Sequence, residues 1–212
     1  MKKANQNATT PAGSLQYPAL IEPDTRFNPD GLFKTNIVIP AGDAADKFEE
    51  LLENAKNSAI QFFQKESGGK KVKINASEPW ERDESGNLVV KTKLPARVET
   101  KSGKSWTQRP ALFDSKGQKI PTDGLRIGSG TRARVAVEIA PYNVPATGAG
   151  ISLRLRGVQI IELREPSGGR AEDFGFGAEE TGFVAETFDN FEEDRETVPA
   201  KDPKNKVKAQ DF

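Results

Sequence analysis

Three short stretches of the chain alternate apolar and polar side chains with a period of two, and that pattern limits the fold more than any other feature. Phe33, Thr35, Ile37 and Ile39 alternate with Leu32, Lys34, Asn36 and Val38 before Pro40 ends the run. Over residues 131–139, Ala133, Val135, Val137 and Ile139 point one way, and Arg132, Arg134, Ala136 and Glu138 the other. Ile151, Leu153 and Leu155 alternate with Ser152, Arg154 and Arg156 until Gly157 shifts the register. A strand with one apolar face must bury that face, so each belongs to a sheet that covers a core and keeps its polar side in water. Residues 88–98, where Pro95 marks a bulge or edge, and residues 106–113 add two more strand regions. The second of these ends in an Asp114-Ser115-Lys116-Gly117 turn.

One helix interrupts the strands. Phe48, Leu51, Leu52, Ala55, Ala59, Phe62 and Phe63 recur at spacings of three and four, with Asp43 as the expected N-cap and Ser67-Gly68-Gly69 as the stop. At that spacing the Phe pair reads as core and not as a base-stacking site. About five strands and one helix predict a mainly β domain built as a small Greek-key barrel, of which the five-stranded OB-fold is one form. The expected organisation is an unstructured polar arm over residues 1–16, a barrel over 17–164 and a tail over 165–212.

Neither cysteine nor histidine occurs. That removes disulfides, thiol nucleophiles, thiolate and imidazole metal ligands, and the usual general base near neutral pH. Gly103-Lys104-Ser105 resembles the end of a phosphate-binding loop, but Val98 stands where the motif needs its first glycine. Gly128-Ser129-Gly130 reads as a turn. No catalytic residue, cofactor or metal is expected. No apolar stretch approaches the roughly 20 residues that span a bilayer, and no apolar run follows Lys2 and Lys3, so neither membrane insertion nor a signal peptide is expected.

The formal net charge of zero hides an asymmetry. Residues 1–164 carry 25 Lys+Arg against 18 Asp+Glu, and residues 165–212 carry 6 against 13. Arg132 with Arg134, Arg154 with Arg156, and Lys91 with Lys93 each share one face of a strand. If those strands are neighbours, six cations line one surface, and such a row is unfavourable unless an anion or carboxylate intervenes. A nucleic-acid strand needs that kind of cationic groove, with aromatic faces for its bases. Tyr142 and Trp106 are the expected stacking rings, ahead of Tyr17 and Trp80. Tyr142 falls in a loop rich in Pro and Gly, and Trp106 follows a basic hairpin tip. Arg97, Lys104 and Arg109 complete the candidate contacts. An ordinary solvated sheet face is the competing reading.

The tail opens on Pro166-Ser167-Gly168-Gly169, a hinge by composition. Residues 172–196 hold ten acidic residues and one basic, punctuated by Phe174, Phe176, Phe183, Phe188 and Phe191. Such a segment buries too little to fold alone. It can compete with phosphates for a basic groove and present its aromatics to partners.

The segment from Gly31-Leu32-Phe33-Lys34 to Ile39-Pro40, the run Phe113-Asp114-Ser115-Lys116-Gly117-Gln118-Lys119, and the stretch from Ile127-Gly128-Ser129-Gly130 through Pro141-Tyr142 to Ile160-Ile161-Glu162-Leu163 resemble the single-stranded-DNA-binding proteins of short-tailed and related phages. The resemblance implies an OB-fold with an inserted helix and an acidic tail ending in an aromatic residue. It implies single-stranded DNA binding in replication, recombination and repair in the host cytoplasm. It also implies tail contacts to the phage DNA polymerase and helicase-primase, and tail-linked self-association. On these positions Tyr142 takes the place of the family's stacking tyrosine, Arg132 and Arg134 that of its basic residues, and Phe212 that of its terminal aromatic. Phe183, Phe188, Phe191, Asp211 and Phe212 are the expected partner-binding residues. The helix, the 66–86 loop and the four lysines of residues 201–208 depart from the family pattern. A protein-interaction module and an RNA-binding barrel are the alternatives.

Overall fold

The computed structural model describes residues 5–100 and 102–166. Ten strands and one helix follow in the order β1 (Gln6–Thr9), β2 (Gly13–Asp24), β3 (Leu32–Ile39), α1 (Asp43–Glu66), β4 (Trp80–Arg82), β5 (Leu88–Pro95), β6 (Arg97–Glu99), β7 (Ser105–Thr107), β8 (Ala111–Phe113), β9 (Arg132–Val144) and β10 (Gly148–Glu162). Strands β2, β3, β5, β10 and β9 are hydrogen-bonded in that order, and β9 returns to β2, so the five close a ring. All pairings in the ring are antiparallel except β5 with β10. That is the five-stranded Greek-key barrel expected, in OB-fold order.

Alternation places the core as predicted. Ile37 and Ile39 of β3, Val135, Val137 and Ile139 of β9, and Leu153 and Leu155 of β10 are all at most 1% exposed. Polar groups inside are satisfied: the Thr92 hydroxyl donates to the Thr35 carbonyl at 2.9 Å, and the Thr10 hydroxyl accepts the Val135 N–H at 3.0 Å. The register shift expected at Gly157 is a β-bulge between Leu155 and Gly157.

Helix α1 buries Ala45, Phe48, Leu52, Ala59, Ile60 and Phe63. It packs against β9 and β10. Its N-cap is Gly42 and not Asp43, which lies inside the first turn, where a carboxylate still favours the helix dipole. Arg82 of β4 pins the helix by donating to Asp46 at 2.7 Å and Glu49 at 2.5 Å. Trp80 is 4% exposed with Lys56 over its ring at 5.9 Å, which removes it as a stacking candidate.

Two further expectations are corrected. The polar arm expected to lack structure pairs as β1 with β9, from Gln6 against Ile139 to Thr9 against Ala136, and β2 begins at Gly13. Polar side chains on an edge strand suffice because the backbone supplies the pairing. Tyr142 does not sit in a loop: β9 continues past Pro141 to Val144, and the β9–β10 turn is three residues long.

Candidate nucleic-acid interface

The outward face of β3, β5 and β10 carries a row of cations. Lys34 lies opposite Lys93, and Lys93 opposite Arg154, so three positive side chains stand on three successive strands. Neighbouring strands are about 4.8 Å apart, and Lys91 faces Asn36 one pleat along. Carboxylates intervene in the row. Lys34 pairs with Asp24 at 2.6 Å, Lys91 with Glu81 at 3.0 Å, and Glu138 of β9 reaches Arg154 at 3.7 Å and Arg156 at 3.5 Å. Asp24 is gripped first by the Arg26 side chain and then by Lys34, which holds its carboxyl well below the usual carboxylate range.

A cleft opens on this face because β5 and β10 splay apart. They pair at a single register, Lys93 with Arg154. The start of the β5 edge is taken instead by β4, from Trp80 against Val90 to Arg82 against Leu88. Residues 73–79 cross the gap: Ala149 donates its N–H to the Lys73 carbonyl at 2.8 Å, and Asn75 donates to the Ala149 carbonyl at 2.9 Å. The cleft holds about 610 Å³ between Lys34, Asn36, Lys91 and Lys93 on one side and Tyr142 and Ser152 on the other, with Asn75, Ser77, Glu78 and Pro79 as its wall.

Tyr142 is fixed in that cleft from two directions. Asn75 Nδ2 donates to its hydroxyl at 2.6 Å. Its ring lies over Gly150, where an added Cβ would come within 2.8 Å of the hydroxyl oxygen and 3.0 Å of Cζ. A half-buried ring held at both its hydroxyl and its edge is preorganised for stacking.

Of the expected cations, the structure brings Lys91 and Lys93 into the Tyr142 cleft, with Arg154 opposite Lys93 and Arg156 two residues further along β10. Arg134 faces Gln159 near the bulge that carries Arg156, outside the Tyr142 cleft, and Arg132 is further away still. Arg132 lies six residues before Glu138 on β9, about 20 Å along the strand, and pairs with Glu162 at 2.9 Å. Trp106 and Lys104 belong to a separate β6–β7 ribbon that leaves the barrel after β5, with Arg97 and Arg109 at its base. Trp106 is 48% exposed there, opposite Val98. Lys34, Asn36 and Asn75 were missed. Lys34 and Asn36 were visible as the polar face of the first alternating strand, whereas nothing in the sequence marks Asn75 as the partner of Tyr142. Phe183, Phe188, Phe191, Asp211 and Phe212 lie outside the described residues.

A family model described as the single-stranded DNA-binding protein of bacteriophage T7 matches residues 8–163. A relative from Enterobacteria phage T3, named single-stranded DNA-binding protein, is 26% identical over 171 residues, covering 74% of this chain and 73% of the relative. Two solved structures share the fold. The crystal structure of gp2.5, the single-stranded DNA binding protein encoded by bacteriophage T7, superimposes with a TM-score of 0.68 at 24% identity, covering 86% of this chain and 100% of that one. The single-stranded DNA-binding protein of bacteriophage Enc34 in complex with single-stranded DNA gives 0.54 at 12% identity, covering 79% and 96%.

Proposed function

Because the chain belongs to the bacteriophage T7 single-stranded-DNA-binding protein family, we propose that it binds single-stranded DNA without sequence preference across β3, β5 and β10. The observation that carries this reading is the cleft that puts a cation row beside an immobilised tyrosine. Phosphates follow Lys34, Lys91, Lys93 and Arg154, and a base lies on the Tyr142 ring. Every base has a π-face, so stacking grips any sequence, at about 1–3 kcal/mol per base. A duplex keeps its bases stacked on one another and offers Tyr142 none without unpairing. The chemistry is non-catalytic holding.

The same reading gives the protein its place in phage replication, recombination and repair in the host cytoplasm, where exposed template must be kept single-stranded. Residues 165–212 then recruit the phage DNA polymerase and helicase-primase and link subunits, with Phe183, Phe188, Phe191, Asp211 and Phe212 as the contacts. The charge asymmetry of the sequence supports this division of labour.

The test is fluorescence anisotropy of a labelled oligothymidylate against a matched duplex over a salt series. The expected result is preference for the single strand, with log affinity falling against log salt by about 0.7 per phosphate neutralised. Equal affinity for both forms would remove the reading.

A further inference from the structure

A second cleft, of about 570 Å³, lies on the other flank of β3, and Lys34 and Asn36 line both. Tyr17 stands at its rim with Pro18, Glu22, Asp24 and Arg26. Tyr17 is the one non-glycine residue with positive φ among those described, at +50°. Strand β2 carries an extra residue here: Gln16 pairs with Asn36 and Ala19 with Lys34, so a bulge falls at Tyr17 and Pro18. A bulge re-aims a side chain, and this one turns an aromatic ring outward until it is 75% exposed. The backbone is held in that unfavourable conformation by Ser129, whose Oγ accepts the Tyr17 N–H at 3.1 Å. Glycine would meet the backbone requirement without strain, and among the described residues the Tyr17 ring makes no hydrogen bond or ring contact.

From this we infer that Tyr17 is a second base-stacking platform, which extends the path of a single strand from the Tyr142 cleft across β3 onto β2. The inference rests on the proposed function. The two tyrosines stand on β2 and β9, and the stretch of β3 with Lys34 and Asn36 lines both of their clefts. The two sites differ in charge. Glu22 and Asp24 offset Arg26 and Lys34 in the second cleft, and Asp24 already pairs with both cations at 3.1 and 2.6 Å. The Tyr17 site therefore offers a ring without net positive charge, and its contribution is insensitive to salt.

Binding of oligothymidylates of about four and about twelve nucleotides, which bracket the site sizes of such barrels, tests this with the full chain, Tyr17→Gly and Tyr17→Phe. Tyr17→Gly should weaken the longer oligonucleotide about five- to a hundredfold. The same variant should leave the shorter one unchanged and melt no lower than the parent. That ratio should hold across the salt series, and Tyr17→Phe should bind like the parent. An unchanged affinity for the longer oligonucleotide, or an equal loss for both, overturns the second platform while leaving the first cleft standing. Failure of the parent to bind either one overturns both.

Discussion

Lys93 sits between Lys34 and Arg154 with no carboxylate paired to it among the described residues, whereas those two neighbours each hold one. A phosphate arriving at Lys93 displaces nothing. Lys93→Gln should therefore weaken single-stranded DNA binding and flatten the log–log salt dependence by about 0.7. Glu138→Gln should tighten binding at low salt, because it releases both Arg154 and Arg156. Pairs whose arginines are more than half exposed contribute about 0–1 kcal/mol, so the thermal stability of Glu138→Gln should hardly move, and a large drop would mean that the pairs serve the fold. Asp24 adds a pH dependence with a definite sign. Its carboxyl stays ionised below the usual range because Arg26 and Lys34 grip it. The stability from that grip is present above the ordinary carboxylate value of about 3.9 and is lost as pH falls below it toward the lowered folded value. Melting curves of Asp24→Asn and the parent should differ at neutral pH and converge in strong acid.

The β9–β10 ribbon contributes the barrel wall, Glu138, Arg154 and the Tyr142–Gly150 pair. Gly150→Ala should cost binding more than folding, because its Cβ meets the Tyr142 hydroxyl at 2.8 Å and must move the ring. Parallel melting and oligonucleotide titrations would show this, and a collapse of the melting temperature with unchanged binding would contradict it. The elements with clean alternation, β3, β9 and β10, were readable from sequence because one residue type per face leaves a single way to bury the strand. Strand β2 was not readable, and its first residues were assigned to the unstructured arm. Pro18, Pro23 and the Tyr17 bulge break its period, so Leu15 and Leu20, both buried, fall out of phase. Pro141 read as a terminator, yet β9 runs through it and carries Tyr142 into the cleft. The cleft itself arises from how β4 and residues 73–79 divide the edges of β5 and β10. That is a tertiary outcome with no local sequence signature. The predicted six-cation surface therefore became a cleft with Lys34, Lys91 and Lys93, while Arg154 and Arg156 lie further along β10 and Arg132 pairs apart with Glu162.

For the whole molecule, the question is whether residues 165–212 compete with DNA for the cations of the barrel. If the acidic segment competes with phosphate, its removal should tighten DNA binding and make it less dependent on salt. Unchanged or weaker binding would assign that segment to partners alone. The cut belongs after Pro166, because the Arg164 carbonyl accepts the Gly128 N–H at 2.7 Å and the Thr131 hydroxyl at 2.9 Å. The binding face already carries its own counterions in Asp24, Glu81 and Glu138. On the proposed function it works like a strip of ion-exchange resin: a phosphate that docks at Lys34, Lys91 or Arg154 evicts a resident carboxylate, which returns when the phosphate leaves. The difference between loaded and empty is then small at each position. A strand held this way can be peeled off one nucleotide at a time, and the vacated surface reseals behind it.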